Sequence, residues 1–387
     1  MLIPIFFLLS IIGFFAIMSS TASKSPTLPL YGEYLGLNSF EIGLVAAAST
    51  ITGIFVNFSA GYLSDIYGRK KLLVVSGIVF MTAPFLYLFV SNAWELAAVR
   101  VYHGIATAVF VPVTTALIAD LYPSKKGGMM GLFSTSTLIG RLIAPTLAGV
   151  IIYTYSFHFT YITCGVLGTV VFVLITFLPS NYTSLEPETS KKETTLVDEP
   201  LTGYAIALLV TLGLIEASTY FAMQSIETFL PLYNVNFREN PWLIGLIFTL
   251  QLSIIALLKP VMGTLSDKAG RIPIIVLGAA ISIMGMIILS TSSSIPIVIF
   301  SIIVFATGVS MSTAATAPFA TELLGEKAHG TAIGTLETIK DVGQALGPII
   351  VGLIALKTTY NYAFLIVAFI ELIVLTTALI VFKALRR

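Results

Sequence analysis

Gly61-Tyr62-Leu63-Ser64-Asp65-Ile66-Tyr67-Gly68-Arg69-Lys70-Lys71 decides the fold of this chain, because most of it occurs twice. Gly61, Leu63, Ser64, Asp65, Gly68 and Arg69 return as Gly263, Leu265, Ser266, Asp267, Gly270 and Arg271, a shift of 202 residues. The same shift carries Pro29-Leu30-Tyr31 onto Pro231-Leu232-Tyr233, Gly43-Leu44 onto Gly245-Leu246, and Asp120 onto Glu322. Gly131, Gly140, Pro145 and Gly149 map onto Gly334, Gly343, Pro348 and Gly352 at a shift of 203. An offset held over so long a stretch marks an internal duplication.

The duplicated unit is a membrane unit. Of 387 residues 57% are hydrophobic and 10% are charged, where a soluble domain carries about 25% charged residues. An ordinary soluble enzyme, a disordered chain and a basic nucleic-acid binder are excluded, and the net charge of +1 points to no strongly charged partner. The single cysteine, Cys164, sits in an apolar run, so neither a disulfide framework nor a cysteine metal site is available. A bilayer-crossing helix needs about 20 apolar residues. Twelve runs qualify: 2–22, 40–64, 70–90, 94–120, 128–152, 157–179, 203–230, 242–266, 272–291, 295–320, 330–354 and 359–383. They are too continuous for barrel strands, which alternate. No positive residue precedes the first run, which is therefore expected to be a span rather than a signal peptide.

The expected fold is an all-α membrane protein with twelve transmembrane helices in two parallel-repeat six-helix halves. Residues 1–179 form an N-terminal bundle, 180–201 a polar linker and 202–387 a C-terminal bundle. Loops after even-numbered spans, with the C-terminus, hold Arg69, Lys70, Lys71, Lys125, Lys126, Lys191, Lys192, Lys268, Arg271, Lys327, Lys383, Arg386 and Arg387. Loops after odd-numbered spans hold Arg238 and Lys357, with Lys24 at the edge of span 1. Both termini and the linker are therefore expected on the cytoplasmic side, most simply of the cell membrane. Six spans per half make the halves parallel repeats about the membrane normal, with substrate near the midplane between them.

Duplication, span count and corner motif together resemble the major facilitator superfamily, over essentially the whole chain, and most of all its twelve-span drug–proton antiporters. The resemblance implies alternating access, and a cytoplasmic charge network at the corner that holds one state and breaks in the other. Carried over by position, that gate comprises Gly61, Asp65, Gly68, Arg69 and Asp120, with Asp267, Arg271 and Glu322 in the second copy. Ile272 and Pro273 replace Lys70 and Lys71 there, which predicts a weaker lock. Gly61, four residues before Asp65, is expected to allow close helix contact.

Arg100-Val101-Tyr102-His103-Gly104 in span 4 resembles the family's Arg-x-x-x-Gly motif, whose arginine is linked to proton coupling. An arginine at membrane depth has a functional role or a partner. Position 302, its repeat equivalent, is isoleucine, which favours a role in coupling or substrate binding over a structural pair. His103 is either a titrating group or a hydrogen-bonded spacer. Gly131, Gly140, Pro145 and Gly149 in span 5 resemble the antiporter motif, with alanine at two of its glycine positions, 144 and 148. Gly334, Gly343, Gly347 and Pro348 repeat it, and all eight are expected at helix packing.

Span 7 places Glu216, Tyr220, Gln224 and Glu227 within an arc of about 80°. Lipid does not tolerate that stripe. In the family, spans 1, 4, 7 and 10 line the cavity, so these residues are candidates for proton coupling or substrate, against a hydrogen-bond network. Phe14, Phe15, Phe110, Phe221 and Phe305 offer aromatic surface on the same helices. Glu337, Lys340 and Asp341 of span 11 share one face, and with Arg141 and Lys259 they are expected as interface charges or, second, as coupling groups.

The function expected is proton-coupled export of small amphipathic or lipophilic molecules. The alternative is proton-coupled uptake of an organic anion or sugar, and the remote one a transport-silent sensor. No Gly-x4-Gly-Lys-Ser/Thr run, metal-spaced cluster or activated nucleophile occurs, so the chain is expected to be no enzyme. No cofactor and no nucleic acid are expected. The partners are lipid, protons and a small substrate, and the resemblance implies a monomer.

Overall fold

A computed structural model of the chain describes residues 2–179, 203–291, 293–324 and 329–384. The linker expected over 180–201 lies outside these residues, as do Lys327, Arg386 and Arg387.

In lipid every backbone N–H and C=O must be satisfied within its own segment, so apolar runs of this length become helices. The helices are α1 (Leu2–Ala22), α2 (Thr27–Tyr34), α3 (Ser39–Tyr67), α4 (Arg69–Leu86), α5 (Ala93–Leu121), α6 (Lys126–Thr154), α7 (Phe157–Thr176), α8 (Gly203–Tyr233), α9 (Val235–Glu239), α10 (Pro241–Ala269), α11 (Arg271–Thr291), α12 (Ile295–Leu324), α13 (His329–Ala355) and α14 (Tyr360–Ala384). A 3-10 turn at Tyr87–Phe89 continues α4. No strand occurs among the described residues. Twelve stretches are long and apolar enough to span a membrane, and the first runs on through α2 to Tyr34.

Polar residues fix the ends. Asn38 accepts from the backbone N–H of Phe40 and Glu41, while the Glu41 carboxylate accepts from that of Asn38, a reciprocal capping box at α3. Asn92 caps α5 through the Glu95 N–H at 3.0 Å. Gly68 and Gly270, both at φ +93°, turn α3 into α4 and α10 into α11 within one residue, a conformation that a side chain would strain.

Contacts divide the chain into two compact units: Met1–Lys191 with Val235–Thr249, and Lys192–Asn234 with Leu250–Arg387. In the first, α1 packs on α6, and α4 on α5 and α7; in the second, α8 packs on α13, and α11 on α12 and α14. These are the same pairings under the sequence repeat. Single contacts repeat as well. The Tyr31 hydroxyl donates to the Tyr87 carbonyl at 3.0 Å, and its equivalent Tyr233 to the Leu289 carbonyl at 2.7 Å. A Cβ on Gly140 would overlap the Phe14 carbonyl, and one on the equivalent Gly343 would overlap that of Ala217. Lipid is as apolar as leucine, so helix association rests on such close packing rather than on expulsion of water.

Residues 235–249, which the sequence division puts in the second half, group by contacts with the first unit. Gly149 is closely approached by the backbone of Pro241, and Gly245 by that of Pro145. The Thr146 and Thr249 hydroxyls lie 2.8 Å apart, and Arg238 of α9 pairs with Glu33 of α2 at 3.1 Å.

Candidate functional site

The two corner motifs fold alike. Arg69, the first residue of α4, reaches back to Asp65 at 2.5 Å and to the Ser64 hydroxyl, and its Nε donates to Asp120, near the end of α5, at 2.9 Å. Arg271 pairs with Asp267, donates to Ser266 Oγ at 2.6 Å, and gives Glu322 two N–H groups at 2.6 and 3.1 Å. The second copy, expected to hold less tightly, makes one more hydrogen bond to its distal acid than the first. The arginines are 16–17% exposed and the acids more than half exposed. Pairs this wet are each worth about 0.2–1 kcal/mol. Gly61 does not make the close helix contact expected of it: a Cβ there, or on Gly263, meets no atom within 4 Å.

Arg100 is buried on the seam between α5 and α3. It donates to Ser49 Oγ at 2.5 Å, and its Nη1 lies 3.4 Å from the Tyr87 hydroxyl. His103, also buried, brings Nδ1 to 3.2 Å from that hydroxyl. Gly104 permits the seam, since a Cβ there would stand 3.0 Å from the Ser49 backbone.

In the second unit, helices distant in sequence assemble one polar string. Glu216 of α8, 6% exposed, accepts a hydrogen bond from Thr316 of α12. Lys259 of α10 and Lys340 of α13 lie within its electrostatic reach, together with Glu337. Lys340 pairs with Glu337, stands 3.8 Å from Asp341, and caps the Tyr220 ring at 5.1 Å. Higher on α8, Gln224 donates to Glu227 at 3.3 Å and accepts from Gln344 at 3.2 Å. The stripe on α8 and the charges on α10 and α13, assigned separately from the sequence, thus meet: Glu216, Glu337 and Asp341 lie with Lys259 and Lys340, and Glu227 is linked to the stripe through Gln224. Arg141, in the first unit, is exposed and has no ion pair among the described residues.

The packing glycines divide. Gly140, Gly149, Gly343 and Gly347 are each pressed against a backbone carbonyl, and Pro145 and Pro348 lie inside α6 and α13; Gly131 and Gly334 face open space. Phe110, Phe221 and Phe305 are buried in helix seams, leaving Phe14 and Phe15 half-buried. The backbone and Cβ of Phe305 press against Gly285. Glu371 of α14 is buried, accepts from Ser282 of α11 at 3.0 Å and leaves Oε2 without a partner.

Sequence reasoning placed Ser64 and Ser266 in the repeated corners but missed that they accept from Arg69 and Arg271, although their repetition was a usable signal. It missed Thr316, Ser49 and Tyr87, for which no local pattern gives one.

The profile described as Major Facilitator Superfamily matches residues 9–243 and 212–387. An uncharacterized MFS-type transporter of Methanocaldococcus jannaschii is 28% identical over 349 residues, 88% of this chain and 89% of that protein. The multi-drug resistance efflux pump PmrA of Streptococcus pneumoniae is 28% identical over 294 residues, 73% of this chain and 72% of its own. Among solved structures, a bacterial homolog of the human lysosomal transporter Spinster, inward-facing and occupied, superposes at TM-score 0.83. It covers 98% of this chain and 96% of its own at 13% identity, a likeness of fold.

Proposed function

We propose, from the premise that this chain belongs to the Major Facilitator Superfamily, that it exports small amphipathic or lipophilic molecules in exchange for protons by alternating access. The observation that carries this reading is the polar string of the second unit. Glu216 is buried, held by Thr316 and faced by two lysines. A carboxylate so enclosed binds either a proton or a cationic group of the substrate, and competition between the two couples their fluxes in opposite directions. The excess of carboxylates over ammoniums, and a relative named as a multidrug efflux pump, support a cationic or lipophilic cargo. The lysine and arginine distribution supports cytoplasmic termini, and on that side the corner networks act as the gate.

Uptake of an organic anion or sugar by proton symport is the second reading, and it rests on Arg100.

Purified protein in liposomes with an entrapped pH dye separates the two. A lipophilic cation added outside, with no imposed gradient, is expected to enter and drive protons out, making the lumen alkaline. Glu216→Gln and Glu227→Gln are expected to abolish this coupling, singly or together. Acidification of the lumen on substrate entry would replace export with symport, and an unchanged pH response in both variants would remove the α8 assignment.

A further inference from the structure

The string of the second unit contains both signs of charge; the buried charge of the first contains one. Arg100 is 3% exposed, and both groups it touches, Ser49 Oγ and the Tyr87 hydroxyl, are neutral. Its Nε has no partner. Among the described residues no carboxylate lies within ion-pair distance of it. A guanidinium does not escape this by losing its proton, because its affinity for it is too high.

Two further buried groups beside it each have an idle polar atom, Nε2 of His103 and the hydroxyl of Tyr161. They are 2% and 0% exposed. All three meet at Tyr87. The Tyr161 ring stacks on the Tyr87 ring with centroids 4.4 Å apart, and the Tyr87 hydroxyl stands between Arg100 Nη1 and His103 Nδ1. Tyr161 is also within electrostatic reach of Arg100. The phenol and the guanidinium Nε are donors, and a neutral imidazole donates from one of its two nitrogens. A fixed positive charge, idle donors and no acidic side chain form a receptor for an anion.

We propose that Arg100, Tyr161 and His103 bind one small monovalent anion, a halide or a single carboxylate group, as the counter-ion of the guanidinium. One positive charge selects a single negative one. The site is independent of the direction of transport and of the α8 string, so its test requires no flux.

The full chain is placed in lipid nanodiscs with sodium sulfate as the only salt. Chloride, bromide, formate or further sulfate is then titrated in at constant sodium, and melting is followed by intrinsic fluorescence. Chloride and bromide, or formate, are expected to raise the melting temperature saturably by about 3 °C or more at a hundredfold excess over half-saturation, and sulfate is not. Tyr161→Phe should raise the half-saturating concentration about 10- to 150-fold, the worth of one hydrogen bond to a charged group. Arg100→Gln should remove the saturable response and melt alike in every salt. If Arg100→Gln does not fold, Tyr161→Phe and bromide anomalous density beside Arg100 carry the test. A halide response identifies an inorganic counter-ion, and a response to formate alone identifies the acid group of an organic anion; both support the site. Equal responses to all salts, or a response undiminished in both variants, overturn it.

Discussion

Alanine placed at four glycines of α6 and α13 isolates the cost of helix contact in this protein. Gly131 and Gly140 lie nine residues apart on α6, and Gly334 and Gly343 are their repeat equivalents on α13. A Cβ at Gly131 or Gly334 meets nothing within 4 Å, whereas at Gly140 or Gly343 it overlaps a backbone carbonyl of the packed helix. All four gain the same helix propensity on going to alanine, about 1 kcal/mol. Gly131→Ala and Gly334→Ala should therefore stabilise by about that amount. At Gly140 and Gly343 the obstacle is main chain, which cannot rotate aside, so α1 must move from α6, or α8 from α13. Overpacking of this kind costs about 1–3 kcal/mol. Subtracting within each pair cancels the propensity gain and leaves the overpacking cost alone. Unfolding of the four variants in nanodiscs measures it, as a separation of melting points of about 1–4 °C within each pair. A separation below about 0.5 kcal/mol in both copies would refute the close helix contact and the reasoning built on it.

Three other outcomes are expected. Asp65→Asn should leave the protein folded, since Arg69 keeps Asp120 and the lost pair is worth about 0.2–1 kcal/mol, yet slow the transport cycle; unchanged turnover in reconstituted vesicles would remove the gate assignment. Thr316→Val deletes the hydroxyl that holds Glu216, a bond to a charged group worth about 1.5–3 kcal/mol, and should displace the pH profile of transport; an unmoved profile would separate Glu216 from coupling. Tyr31→Phe and Tyr233→Phe remove equivalent buried bonds and should destabilise by about 1 kcal/mol each, with Tyr233→Phe the costlier because Asn361 also donates to that hydroxyl. Thermal unfolding decides this ordering.

The charged pairs of the corner motif were readable because they are local or repeated, whereas the helix contact expected at Gly61 and the weaker second copy were not found. Asp65 and Arg69 are one turn apart, Gly68 turns the chain between them, and the offset that repeats them also delivers Asp120 and Glu322. The polar string was half readable. Helical spacing put Glu216, Tyr220, Gln224 and Glu227 on one face of α8, and Glu337, Lys340 and Asp341 on one face of α13. It did not reveal that the two faces meet, or that Lys259 joins them. Nor did helical position reveal that Phe110, Phe221 and Phe305 are buried while Phe14 and Phe15 are only half-buried.

The sequence by itself determined the spans, the duplication and the places of the glycine corners. These follow from the length of apolar chain a bilayer demands, from self-similarity, and from glycine's access to positive φ. The tertiary structure alone decided which side chains share a site: Thr316 with Glu216, Lys259 with Lys340, and Tyr87 and Ser49 with Arg100. In a soluble helix the polar face marks the outside and the apolar face the core. A helix that is apolar all round in lipid carries no such mark, so its neighbours are chosen by shape, where a glycine admits another backbone, and by the pairing of its few charges.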